Sequence, residues 1–129
     1  MSGAKHRIRL HGPWDVRPHL TAVQPGQMSV PGMLRAGGFV GVAGPVSFYR
    51  RFGRPTNLDA KDRLSLDFHE VIGAAEVWLN GHRLGQCNGA GVFDVTGTLM
   101  ERNQLEVIVD CDDDACGIVG DVSLMIESN

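Results

Sequence analysis

The sequence predicts an all-β protein, an antiparallel β-sandwich of about eight strands. Three observations carry this. Apolar and polar residues alternate in short runs, and no run shows the spacing of an amphipathic helix of three turns. Seventeen glycines and six prolines punctuate those runs. Finally, Asn80-Gly81 separates two of them, and this pair is the one best able to take φ > 0 at both centres of a type I′ hairpin turn.

The elements follow in order. RIRL (7–10) and WDVRPHL (14–20) open the chain as strands, with Pro18 expected to demote the second to an edge or an irregular extension. Residues 21–45 are rich in glycine and proline and are expected to form a long loop. In VSFYRRF (46–52), Val46, Phe48 and Arg50 share one face and Ser47, Tyr49 and Arg51 the other. RLSLDFHEV (63–71) sets Leu64, Leu66 and Phe68 against Ser65, Asp67 and His69. EVWLNG (76–81) turns Val77 and Leu79 inward and Glu76, Trp78 and Asn80 outward, and HRLGQC (82–87) should return antiparallel to it. QLEVIVD (104–110) and DVSLMIE (121–127) complete the set, with Leu105, Val107 and Val109 on one face and Val122, Leu124 and Ile126 on another. Neither an internal repeat nor a domain boundary is visible, so residues 1–129 read as one domain.

A chain of 129 residues can bury a real core. With 43% hydrophobic and 21% charged residues its composition is that of a globular protein. The net charge is −3 with no basic block, which argues against nucleic acid and anionic membranes as partners. The N-terminus lacks the apolar stretch of about 7–15 residues that a secretory signal needs, and no run of about 18 apolar residues offers a membrane span. Cys87, Cys111 and Cys116 make an odd count. Without a signal this reads as reduced thiols in a cytoplasmic protein, although Cys111 and Cys116 could meet across a short loop.

Several motifs then fall in one order: GPW, VSFYRRF, AAEVWLNGHRLG, VFDVTGTL, NQLEVIVD and GIVGDVSL. This ordered set resembles the N-terminal sugar-binding domain of glycoside hydrolase family 2 enzymes, the β-galactosidases, β-glucuronidases and β-mannosidases. Its landmarks there run roughly Y-R-R-x-F, A-x-V-x-L-N-G-x-x-L-G, F-D-V-T-x-x-L, N-x-L-x-V and G-I-x-x-x-V-x-L. The resemblance spans nearly the whole chain and implies a galactose-binding domain-like jelly roll, which agrees with the strand count. In those enzymes the two catalytic glutamates lie in a separate (β/α)8 barrel, and such a barrel takes about 250 residues. A retaining glycosidase also needs two carboxyl groups about 5 Å apart in a pocket, and no such pair stands out here. The expectation is therefore a family-like fold without hydrolysis, that is, not an enzyme.

Six residues are candidates for ligand binding. Trp78 is set outward between polar neighbours, where a flat ring can stack on the apolar C–H face of a sugar; it could equally be covered by protein, or simply exposed. Asp112, Asp113 and Asp114 lie in the acidic stretch DCDDDAC (110–116). In the resembled enzymes the loop before GI reaches toward the barrel's active site. The same aspartates could hold a structural calcium, although Ca²⁺ wants about six to eight oxygens and the spacing matches no EF-hand; otherwise no cofactor is expected. Phe39 lies in the Gly-rich RAGGFVGVAG (35–44), which in the resembled enzymes borders the sugar pocket. That segment has neither phosphate-loop spacing. Asn88, just beyond the hairpin, completes the set.

His6, His11, His19, His69 and His82 show no metal-ligand spacing, and no CxxC motif exists, so no metal site is expected. Neither Cys87 nor Cys111 has an adjacent base to make it a nucleophile. Arg50 and Arg51 are expected to pair with strand carboxylates across the sheet. The reading that results is a non-catalytic carbohydrate-recognition module. Two alternatives stand beside it: a protein-interaction or self-associating module using the Trp78 face, and an accessory subunit of a separately encoded glycosidase.

Overall fold

Leu64, Leu66 and Phe68 alternate with Ser65, Asp67 and His69, and a strand with that pattern buries one face only. In the computed structural model, which describes residues 5–20 and 23–128, all three apolar side chains are buried. They belong to β5, a strand of 17 residues, Arg63–Leu79, that runs through both layers of a sandwich. Residues 21 and 22 of the expected loop, and the chain ends at 1–4 and 129, lie outside the described residues.

The other strands are β1 (Lys5–Arg9), β2 (Gly12–Pro18), β3 (Gly26–Val30), β4 (Gly44–Gly53), β6 (His82–Asp94), β7 (Arg102–Cys111), β8 (Gly117–Ile118) and β9 (Val122–Glu127), with one 3₁₀ turn at Arg35–Gly37. Every pairing is antiparallel. The first half of β5 pairs with β9, which pairs in turn with β1. Its second half pairs with β7, and the order continues through β4 and β2 to β3. β6 follows β5 along both halves. The result is an antiparallel jelly-roll sandwich whose two layers share one bent hairpin.

The bend falls between Phe68 and Ala75, where the β5–β6 register shifts twice. Gly73 sits in it at φ 113°. A Cβ there would stand 2.7 Å from Val109 Cγ1 and 2.8 Å from the carbonyl oxygen of Asp110. Glycine is thus required both by conformation and by space. The Asn80-Gly81 turn has φ 52° and 83°, as a type I′ turn demands.

Between the layers, Trp14, Val46, Phe48, Leu66, Phe68, Val77, Leu79, Leu105, Val107 and Val109 form the body of the core. Trp14 is fully buried, and its Nε1–H donates to the Leu10 carbonyl at 2.9 Å, so the one polar atom of the ring is satisfied. The Phe68 and Phe93 rings meet edge to face, with centroids 5.8 Å apart. Asn103, also buried, accepts from the Met100 amide at 2.8 Å and from Asn80 Nδ2 at 2.9 Å, and donates to the Met100 carbonyl at 2.9 Å. It locks the turn into β7 against the β5–β6 hairpin.

Four expectations change. The 21–45 segment contains a strand, β3, and the 3₁₀ turn. β2 is an interior strand, not an edge: Pro18 pairs with Val46 on the β4 side alone, past the end of β3, where its missing N–H breaks no β2–β3 bond. Arg50 does not pair with a strand carboxylate, because it stands at the inner end of β4, and its guanidinium donates to the carbonyls of His11 and Arg51. Cys111 and Cys116 are not reduced thiols. The end of β7 and the start of β8 hold their Cα atoms 5.6 Å apart, within bridging reach, and they form a disulfide. Among the described residues no helix is long and apolar enough to cross a membrane.

Candidate functional site

At one end of the sandwich the chain makes three close passes: the 31–44 segment, the bend of β5, and the acidic loop 112–116. Backbone hydrogen bonds tie them. The Gly32 amide donates to Ile118, Leu34 to Cys116 and Arg35 to Asp114, each at 2.9 Å. Asp114 is the brace. Its Oδ2 accepts the Gly41 amide at 2.8 Å and its Oδ1 pairs with Arg35 Nε at 3.2 Å. The disulfide closes the acidic loop at its base. Asp113 Oδ1 caps the loop by accepting the Ala115 amide at 2.9 Å.

Asp112 is left exposed, and its carboxylate makes no hydrogen bond or ion pair with any described residue. A carboxylate facing water can accept from two adjacent hydroxyl groups. We expect Asp114→Ala to cost only about 1 kcal/mol, since the groups it releases can be hydrated. The Gly41 amide should nonetheless lose its protection in hydrogen exchange.

The six sequence candidates do not all converge. Asp112, Asp113 and Asp114 stand together at this end. Phe39 comes to the same end but turns inward: it is 5% exposed and its ring belongs to the core, close to Gly26. Asn88 is exposed and lines a shallow depression of 660 Å³ with Pro45, Ala74, Glu76, Ile108 and Asp110, beside the root of the acidic loop. Trp78 lies farther away, on the outer face of the β3–β2–β4–β7–β5–β6 layer. Among the described residues no group of three or more His, Cys, Asp or Glu is arranged to hold a metal ion.

The outer face around Trp78 is ordered in rows. Tyr49, Glu106, Trp78 and Arg83 stand side by side, and Ser47, Ile108, Glu76 and Gln86 form the next row. Trp78 points outward, as its alternation requires, but it is half-buried, and its Nε1 is sealed from water without an acceptor. Such a donor costs about 1–3 kcal/mol. Arg83 pairs with Glu76 at 3.4 Å, and the Arg17 guanidinium lies over the Tyr49 ring, 5.8 Å from its centroid.

Sequence reasoning missed a polar cluster on this face. Ser47 is fully buried, with its Oγ 2.7 Å from His19 Nε2, and it donates to Glu106 Oε2 at 3.3 Å. Its only sequence signal was the outward parity of Ser47 in β4, since His19 and Glu106 lie far off along the chain. Burial pushes the Cys87 thiol pKa up, which keeps it in the less reactive protonated form.

Fold and loop end together define a jelly-roll module with a braced, disulfide-closed acidic loop at one end of the sandwich. No protein-family model matches the chain, and no curated protein matches it. Solved structures do. A β-glucuronidase from Bifidobacterium dentium, complexed with coumarin-3-O-glucuronide, matches with TM-score 0.80 and 22% identity, over 95% of this chain and 30% of that one. A β-glucuronidase from an uncultured Clostridium sp. matches with TM-score 0.84 and 21% identity, over 98% of this chain and 30% of that one. The β-D-glucuronidase of Dictyoglomus thermophilum matches with TM-score 0.78 and 15% identity, over 97% of this chain and 28% of that one. The chain thus spans less than a third of the length of these enzymes. The likeness to family 2 glycosidases read from the motifs is borne out as a likeness of fold.

Proposed function

We propose that the chain is a carbohydrate-recognition module with no hydrolytic chemistry of its own. The observation that carries this reading is the loop end. A disulfide and Asp114 hold the acidic loop rigid, and they leave the Asp112 carboxylate unpaired and facing solvent. A preformed acceptor on a stiff seat limits the ordering entropy of binding, which suits a small polyhydroxyl ligand. The fold supports the same reading, since a β-glucuronidase that contains it is complexed with coumarin-3-O-glucuronide. The disulfide removes part of the basis for a cytoplasmic location, because such bridges persist mainly in oxidising compartments.

The test is a glycan array followed by NMR titration with the sugars it selects, glucuronides included. Saturable shifts at residues 112–116 are expected, with affinity reduced about tenfold in Asp112→Ala, the loss of one charge-assisted hydrogen bond of about 1.4 kcal/mol. No response to any sugar sinks the reading, and turnover of a nitrophenyl glycoside sinks its non-catalytic part. A second reading rests on the length ratio to the matched enzymes. As an accessory subunit of a separately encoded glycosidase, the chain would bind sugar only when a barrel-bearing partner is present.

A further inference from the structure

The outer face of the β3–β2–β4–β7–β5–β6 layer carries exposed charges that the folded chain leaves unanswered, among them Arg51, Arg102 and Asp110. Arg51 stands at one end of the face, opposite Gln104, and Asp110 at the other, opposite Pro45. Neither side chain makes a hydrogen bond or ion pair with any described residue. Six residue positions along the paired strands separate them, roughly 20 Å at the antiparallel rise. The two rows that hold Trp78 and Ile108 lie midway, with Tyr49 and Trp78 half-buried and the Trp78 N–H unsatisfied.

From this arrangement we infer that the face packs against the same face of a second copy of this chain. A two-fold axis lying in the interface, across the strands and between the two middle rows, reverses the partner's strand direction. It brings Arg51 of each copy to the row of Asp110 of the other, one strand spacing of about 4.8 Å to the side and within reach of an arginine side chain, so Arg51 and Asp110 pair twice over. That reciprocity is what an isologous interface requires. The pairs at the ends fix the register, while the half-buried rings and Ile108 at the centre supply the apolar contact. Six strands make a face about 24 Å wide, so each copy offers on the order of 500 Å² of flat area. This is below the roughly 800 Å² per partner of a standard interface, which makes the dimer weak and concentration-dependent. Nothing in the inference depends on sugar binding at the loop end.

Sedimentation equilibrium over a range of concentrations tests it. The mass should rise from 14.0 kDa toward twice that value. Arg51→Glu and Asp110→Arg should each hold the chain as a monomer, because each sets like charges opposite one another. Mixing the two variants, or combining both changes in one chain, should restore dimerisation. Both positions are exposed, so thermal unfolding of each variant should match the parent and exclude misfolding as the cause. A parent that stays monomeric at every concentration overturns the inference. So does a dimer that either single variant leaves intact, or single-variant losses that the charge swap fails to restore.

Discussion

Gly73→Ala is expected to lower stability by about 4 kcal/mol. Two costs add. An L-residue forced into the left-handed half of backbone space costs about 1–2 kcal/mol. A methyl group 2.7 Å from Val109 and 2.8 Å from a backbone oxygen must push them apart or bend the strand, which costs about 1–3 kcal/mol more. The oxygen belongs to β7 and cannot swing aside as a long side chain would. Against a total of roughly 5–15 kcal/mol this is a large share, and the melting temperature should fall by roughly 15 °C. Calorimetry decides the matter: a shift within about 3 °C would mean that the bend accepts a side chain and that the account of β5 given above is mistaken.

Trp14→Ala should cost a similar amount, about 4 kcal/mol, for a different reason. Here the loss is burial: the ring is fully enclosed, and its removal leaves a cavity that a sandwich with both faces paired cannot collapse to fill. Trp14→Phe separates the terms. It keeps most of the apolar volume and drops only the hydrogen bond to Leu10, so about 1–2 kcal/mol is expected. Chemical denaturation of both variants checks the pair. Equal losses in the two would show that the hydrogen bond, rather than the ring, holds β2 in place.

Much of this architecture was readable because period-two alternation is a local signal. The inward positions of β4, β5, β7 and β9 follow from it, and so does the hairpin at Asn80-Gly81. What failed to show was long-range. EVWLNG and RLSLDFHEV read as two strands because Gly73 and the alanines beside it break the alternation. The structure joins them, since glycine can bend a strand without ending it. β3 was hidden between Pro25 and Pro31, where only Met28 and Val30 mark an inner face. At the loop end, the acidic loop was visible as a run of aspartates. That Asp114 would brace Arg35 and Gly41 while Asp112 stayed free depends on a contact 73 residues apart in sequence. Phe39 was assigned to a rim because the resembled enzymes place its segment beside the sugar pocket, but an aromatic ring beside a sandwich mouth finds more apolar surface inside than out.

One ribbon, the β5–β6 hairpin, is stitched into both walls of the molecule. Neither wall can therefore be peeled away while the other keeps its full set of partners, and the natural line of cleavage for a sandwich is closed. The chain should lose its structure in a single event rather than layer by layer. A tug on the acidic loop, rooted where that ribbon folds over, would be felt across the whole body instead of at one hinge.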